Sequence, residues 1–243
     1  MPSAKSAVVT GATGAIGSAI CRRLARDGYF VYACGHANAA AAASLVDELR
    51  FAGADGQALC FDIAEAKATE KNLAQVLEDP REIGAIVHAA GIVRRSLSLQ
   101  TSVADWESTV AVNLNGFFFL IRPLLRRMIR ARDGSIVALS SVVAERGLEG
   151  QGAYSASKAG LTGAVRSLAR EIGPHNIRAN IIAPGWIKAG MNQSDPPKQV
   201  LDRIPLRRSG QPDDVASLVS FLCSPDATYI SGAIIPVSGG LDV

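Results

Sequence analysis

Short apolar runs alternate along the chain with longer segments in which apolar residues recur at helical spacing. The runs, such as residues 136–139, show no polar alternation, which is typical of strands buried on both faces of a sheet. Strands are predicted at residues 6–10, 30–34, 57–61, 85–88, 135–140, 177–182 and 233–237. Helices are predicted between them at residues 16–26, 39–51, 67–78, 104–130, 153–172 and 213–223. The order predicts an α/β fold, a doubly wound parallel sheet of about seven strands with helices on both faces.

The organisation of the chain predicts one domain. No linker or sustained repeat divides the sequence, so residues 1–243 are expected to fold as a unit. Pro123 lies inside the longest apolar helix and predicts a kink or a break there, because proline has no N–H to donate. Residues 183–197, rich in Gly, Pro and Ser, form the longest irregular segment. A loop of that length predicts a lid over a site.

Composition and charge exclude several classes of protein. Hydrophobic residues make up 48% of the chain and charged residues 19%, which excludes disorder. A net charge of +3 gives no reason to expect a nucleic-acid partner. The four cysteines form no Cys-x-x-Cys pair, so we expect no metal site and no disulfide framework. With no signal-peptide pattern and no run of membrane-spanning length recognised, we expect a cytoplasmic protein without membrane association.

A glycine-rich turn, residues 10–17, follows the first predicted strand and opens a helix. Small residues let the backbone turn sharply and bring its N–H groups, with the positive end of the helix dipole, to a pyrophosphate. This position in a strand–helix–strand unit predicts Rossmann-type dinucleotide binding. The expected cofactor contacts in the turn are Gly11, Thr13, Gly14, Ile16 and Gly17.

The end of the second strand bears on the choice of nucleotide. A carboxylate there would bind the ribose hydroxyls of NAD(H) and repel a 2′-phosphate. The sequence has Gly35 and His36 instead, so NADP(H) is favoured over NAD(H), with His36 in place of the usual arginine. Asp62, beside Ile63 after the third strand, is either an acceptor for the adenine amino group or a cap for the next helix.

Tyr154 and Lys158 stand four residues apart at the start of a predicted helix, on one face. A free phenol has a pKa near ~10, and a neighbouring cation together with a positive nicotinium ring is expected to lower it. Ser140 and Ser141 end the preceding strand, at the sheet edge where ligands bind. A serine hydroxyl there can hold a substrate oxygen, or it can serve the turn alone.

Taken in order, these motifs resemble the short-chain dehydrogenase/reductase family over nearly the whole chain. Residues 10–17 match the family's Thr-Gly-x-x-x-Gly-x-Gly turn, with Ala15 for the middle glycine. Of its Asn-Asn-Ala-Gly turn, only Ala90 and Gly91 remain. The other matches are Asn113, Ser141 at the family's serine-to-tyrosine spacing, the pair Tyr154 and Lys158, and the turn Pro184-Gly185-Trp186-Ile187.

The resemblance implies a role for each matched residue. Tyr154 would protonate the carbonyl oxygen, Ser141 would hold that oxygen, Lys158 would contact the ribose, and Asn113 would position a relay water. Gln151 is implied as a further substrate contact beside Ser141 and Tyr154. The implied remaining cofactor contacts are Ile63, Ala90, Gly91, Tyr154, Lys158, Pro184, Gly185 and Ile187. Ala15, Ala89 and Ala189 depart from the family pattern, and are expected to affect cofactor binding more than chemistry.

Several strings, among them residues 204–208 and 230–240, are similar to the 3-oxoacyl-(acyl-carrier-protein) reductases of this family. That similarity implies reduction of a 3-oxoacyl thioester. The alternatives are an alcohol or sugar dehydrogenase acting on a free small molecule, and a cofactor-binding protein without activity. Docking of the acidic carrier near the site entrance is predicted at Arg126, Arg127, Arg130 and Arg132, although these also suit a solvated helix face. Family analogy implies a homotetramer or homodimer, whereas apolar residues 117–120 suit core packing equally.

Overall fold

The computed structural model describes residues 5–188 and 197–241. Seven parallel strands form one sheet in the order β3-β2-β1-β4-β5-β6-β7. The strands are β1 Ser6–Thr10, β2 Phe30–Gly35, β3 Gly56–Cys60, β4 Ile83–His88, β5 Gly134–Leu139, β6 Ile177–Pro184 and β7 Ile234–Val237. The order reverses direction between β1 and β4, which opens a crevice at their carboxyl ends. The predicted doubly wound parallel sheet is confirmed, with strand bounds shifted by at most two residues.

Helices cover both faces of the sheet. They are α1 Ala15–Arg26, α2 Ala39–Phe51, α3 Ala66–Glu78, α4 Val103–Val110, α5 Gly116–Ala131, α6 Val143–Arg146, α7 Gly152–Ile172, α8 Lys198–Leu201 and α9 Pro212–Cys223. On one face the buried side chains of α1, α2 and α9 pack on strand residues such as Val9. On the other face α3, α5 and α7 pack on residues such as Val8. Because both faces are covered, neighbouring strand residues are equally apolar and the strands lack polar alternation.

The long helix predicted at residues 104–130 is two helices joined by a π-helical turn, Ala111–Asn115. The helix continues through Pro123, so of the two predicted alternatives the break is wrong and the kink stays a prediction. Packing explains this, since Leu120, Leu124 and Met128 on either side of the proline are fully buried against the sheet. The interruption lies instead at the π turn, which places Asn113 in the interior.

Among the described residues, the combined segment Val103–Ala131 has the length and the apolar composition of a membrane span. The expectation that no run approaches such a span is therefore wrong by this measure. Its buried side chains belong to the core cluster on one face of the sheet, which accounts for their apolar character.

The arginines at the end of α5 lie at the opposite edge of the sheet from Ser141. Parallel β5 begins beside Arg132 and ends beside Ser141, and its six residues span about 20 Å. The Arg127 guanidinium donates to three backbone carbonyls near the end of α3. Within one chain, the predicted placement of Arg126, Arg127, Arg130 and Arg132 near the site entrance is therefore wrong.

The irregular segment predicted at residues 183–197 overlaps β6 in its first two residues, and its role as a lid stays a prediction. β6 continues to Pro184, and Ile187 pairs with Gly210 in an isolated bridge. The short helices α6 and α8 were not predicted. Residues 189–196, with the family departure at Ala189, lie outside the described residues, and one domain over residues 1–243 stays a prediction.

Candidate active site

Two adjoining cavities lie along the carboxyl edge of the sheet. The first, of about 510 Å³, is lined by the glycine-rich turn and the ends of β2 and β3. The second, of about 340 Å³, is lined by residues that follow β5 and β6. Ile16, Ala89 and Gly91 line both cavities, so they form one continuous cleft.

The first cavity brings together most of the predicted cofactor contacts. Gly11 adopts a φ of +68°, which only glycine adopts readily, and its carbonyl accepts the Gly14 N–H at 3.0 Å. The residues lining it include Gly11, Thr13, Gly14, Ile16, Gly17, His36, Asp62, Ile63, Ala90 and Gly91. Pro184, Gly185, Ile187, Tyr154 and Lys158 line the second cavity instead.

The start of α1 is shaped to receive an anion. Its N-cap, Gly14, has no side chain to satisfy the free N–H groups, and the first turn holds no acidic residue. A Cβ on Gly17 would lie 2.6 Å from the Gly11 carbonyl carbon and closer still to its oxygen. The helix therefore sits directly on the turn, and its N–H groups face the cavity. These residues fit the pyrophosphate of a dinucleotide.

Asp62 holds the turn after β3 but does not cap the next helix, because the N-cap of α3 is Glu65, so the capping alternative is wrong. Its Oδ1 accepts the Ala64 N–H at 2.9 Å. Its Oδ2 lies 3.6 Å from Nε2 of His36, a side chain that is 70% exposed. Both residues line the first cavity, and the contact of Asp62 with adenine stays a prediction.

In the second cavity, Tyr154 lies beside Ser141 and Lys158. Ser141 follows the carboxyl end of β5, and the other two residues belong to the first turns of α7. The Ser141 hydroxyl lies close enough to the Tyr154 phenol to lower its pKa. The Lys158 Nζ lies 5.8 Å from the centre of the Tyr154 ring and donates to the Leu139 carbonyl at 2.7 Å. The predicted substrate contacts Ser141, Gln151 and Tyr154 all line this cavity.

Burial controls the charge state of this pair. Burial raises the pKa of Tyr154, and the nearby Ser141 hydroxyl opposes that rise only in part. This is opposite to the part of the predicted lowering that relied on Lys158, whereas the part that relied on the nicotinium ring stays a prediction. Burial also lowers the pKa of Lys158 to about 8, which weakens the cation on which that prediction relied. At neutral pH the structure therefore holds Tyr154 as a phenol that can donate a proton.

Asn113 lies behind the cleft and is fully buried. Its Oδ1 accepts the Ile92 N–H at 2.8 Å, and its Nδ2 donates to the Ile92 carbonyl and to Ser157 Oγ, both at 3.0 Å. A Cβ on Gly91 would lie 3.3 Å from Asn113 Oδ1 and equally close to Lys158 Nζ. The amide therefore fixes the segment after β4 against α7, close to Lys158.

Two residues of this site were not found from the sequence. Ser157 accepts from Asn113 and donates to the Tyr154 carbonyl at 2.7 Å. Its position on the same helical face as Tyr154, three residues later, was the available signal. His88 is fully buried beside Thr10, whose Oγ1 lies 3.2 Å from its Nδ1. Burial lowers the pKa of His88 to about 3, so the ring is neutral.

The class of protein follows from this cleft and from comparison with known families. Residues 11–242 match the family model described as enoyl-(acyl carrier protein) reductase. The chain belongs to the short-chain dehydrogenase/reductase family, whose members are nicotinamide-dependent oxidoreductases acting on carbonyl and hydroxyl groups.

Among individual proteins, the chain is similar to bacterial 3-oxoacyl-(acyl-carrier-protein) reductases named FabG. It is 38% identical to that of Staphylococcus aureus strain Mu50 over 244 residues, which cover 99% of both chains. It is 39% identical to that of Aquifex aeolicus and 37% identical to that of Pseudomonas aeruginosa, each over 240 residues, 98% of this chain and 97% of the relative.

Proposed function

We propose that the protein reduces a 3-oxoacyl thioester, bound to an acyl carrier protein, to the 3-hydroxyacyl form with NADP(H). The observation that carries the proposal is Tyr154, held as a phenol beside Ser141 in the second cavity, which adjoins a cleft that fits a dinucleotide. The similarity to FabG proteins over almost the whole chain supports the choice of substrate. In this proposal the protein works in the cytoplasm as a homotetramer or homodimer.

The nicotinamide, when bound, supplies the hydride. The chain's own residues bind and protonate the carbonyl oxygen of the substrate. Ser141 donates to the carbonyl oxygen and orients it toward Tyr154. Tyr154 transfers its phenolic proton to that oxygen as negative charge develops there. Lys158, fixed by the Leu139 carbonyl, keeps a donor next to the ribose side of the cleft. Because the Asn113 amide already holds Ile92 and Ser157, we assign the relay water to its backbone carbonyl.

The preference for NADP(H) rests on the end of β2. Gly35 and His36 place no carboxylate where one would repel a 2′-phosphate. A Cβ on Gly35 would lie 3.0 Å from the Thr13 methyl, so a larger residue there would crowd the turn. His36, exposed at the rim of the first cavity, is the donor we assign to the phosphate.

His36→Asp is expected to move the ratio of kcat/KM for NADPH over NADH by about a hundredfold toward NADH, because a like charge opposite the phosphate costs several kcal/mol. Steady-state kinetics with both cofactors on one thioester measure the ratio. His36→Asn, of similar size without charge, is the matched control and should change it far less. An unchanged ratio in His36→Asp would refute the assignment of the phosphate to this residue.

The function itself is tested by following oxidation of NADPH and NADH across a panel of substrates. The panel contains 3-oxoacyl thioesters, 2-enoyl thioesters, free ketones and sugars. We expect turnover of the 3-oxoacyl thioesters, faster with NADPH. Turnover of only free ketones or sugars would favour the alternative dehydrogenase. Turnover of enoyl thioesters would favour the activity in the family model's description. No turnover of any substrate would favour the cofactor-binding protein without activity.

A further inference from the structure

The rim of the second cavity carries an unusual excess of positive charge. Arg95, Arg146 and Arg203 line it, and none of the described lining residues is Asp or Glu. The three arginines come from separate parts of the chain: the segment after β4, the end of α6 and the segment after α8. All three are exposed, which places them at the mouth of the cavity.

Two of these arginines, Arg95 and Arg203, differ from other arginines of the chain in their ion pairing. Arg94 lies 3.8 Å from Asp105, and Arg208 lies 2.7 Å from Asp214. In the part of the chain that the structure describes, Arg95 and Arg203 form no ion pair. Arg146 donates to the backbone carbonyl of Leu241 at 3.5 Å. The guanidinium groups of Arg95 and Arg203 are therefore available to an anion from outside the chain.

Below the rim, the cavity is mainly apolar. Its walls include Val93, Val142, Leu148, Val200 and Leu241, and its floor holds Tyr154. A ligand that fills it has an apolar or weakly polar body near Tyr154 and a negative group where it leaves the mouth. A thioester on a phosphorylated pantetheine arm has this order of groups, with the acyl chain first and the phosphate last.

We propose that Arg95 and Arg203, with Arg146, form a subsite that binds the phosphate of the substrate's phosphopantetheine arm. This assignment rests on the proposed reduction of a 3-oxoacyl thioester. It adds which part of that substrate binds at the mouth of the second cavity. Arginine suits this task because its planar group can donate two parallel hydrogen bonds to phosphate oxygens. The same phosphate chemistry is present on an acyl carrier protein and in coenzyme A.

The test compares a 3-oxoacyl thioester of pantetheine with that of 4′-phosphopantetheine, which differ by the phosphate alone. In the wild-type protein the phosphorylated substrate should have a kcat/KM about tenfold higher or more, since charge-assisted hydrogen bonds strengthen binding. In the Arg95→Gln/Arg203→Gln double variant the two substrates should become nearly equal, through a higher KM for the phosphorylated one. The kcat on the pantetheine thioester should not change.

Arg26→Gln is the matched control, because Arg26 is an exposed arginine at the end of α1, on the opposite edge of the sheet. It should keep the wild-type preference for phosphate. Equal kcat/KM for the two substrates in the wild-type protein would overturn the subsite, whereas no turnover of any thioester would overturn the proposed function instead.

Two further substrates separate the sources of the phosphate. If the arginines bind the arm, the double variant should lower kcat/KM on both the coenzyme A thioester and the carrier-bound thioester. A loss confined to the carrier-bound thioester would show that the arginines contact the carrier's surface, which would overturn their assignment to the phosphate. The arginines could instead bind a carboxylate at the end of the acyl chain. The wild-type protein would then prefer such chains, the double variant would lose that preference, and the phosphate would have no effect. This result would also overturn the assignment.

Discussion

Tyr154→Phe is expected to reduce kcat by about a thousandfold or more, because proton transfer by a positioned side chain contributes about 10²–10⁴ to a rate. The phenol is the group in the second cavity that is held protonated by burial and lies beside Ser141. The substitution removes one oxygen and keeps the ring, so the packing around Lys158 should persist. Cofactor affinity, measured by fluorescence titration of NADPH, should therefore stay within a few-fold of wild type.

Tyr229→Phe is the control for the loss of a phenol in general, since Tyr229 is fully exposed and lies away from both cavities. It should have wild-type kcat and thermal stability. If Tyr154→Phe kept a tenth or more of the wild-type kcat, Tyr154 would not be the proton donor and another group in the cleft would have to replace it. In that case Ser141 is the other candidate, and Ser141→Ala alone should lower kcat by about the thousandfold expected here for Tyr154→Phe.

The parts of the fold that depend on local sequence were predictable. An uninterrupted apolar run such as that of β5, in a chain where such runs alternate with helices, predicts a strand covered by helices on both faces. The same holds for the residues that chemistry requires at strand ends and on one helical turn, Ser141, Tyr154 and Lys158. Their positions along the chain already place them at one edge of a parallel sheet.

The features that depend on packing were not predictable in this way. The helix passes through Pro123 because burial around it outweighs one lost hydrogen bond, and sequence alone does not show that burial. The direction of the Tyr154 pKa shift depends on how deeply the phenol and Lys158 are buried, which spacing does not reveal. Arg127 was grouped with a docking surface because nothing in the sequence shows that it caps the end of α3.

The glycine-rich turn shows the same division between local signal and three-dimensional contact. The sequence marks Gly11, Gly14 and Gly17 as equivalent small residues, whereas the structure gives each a different constraint. Gly11 needs a positive φ, at +68°. Gly14 is tight but not blocked, since a Cβ there would lie 3.3 Å from the Gly11 oxygen, which would have to shift by a few tenths of an ångström. Gly17 has no room at all for a Cβ above the Gly11 carbonyl group.

Gly17→Ala is therefore expected to weaken NADPH binding by about a hundredfold and to lower the free energy of unfolding by about 2–3 kcal/mol, as overpacking in a rigid site does. The new methyl must push α1 away from the turn, because its neighbours are backbone atoms without rotamers. Cofactor titration and denaturant unfolding measure the two effects. Gly14→Ala adds the same methyl at a contact of 3.3 Å, which a small shift of the Gly11 carbonyl relieves, and should keep stability and binding within a few-fold. Equal behaviour of the two variants would mean that the turn and helix do not pack as closely as the Gly17 contact requires.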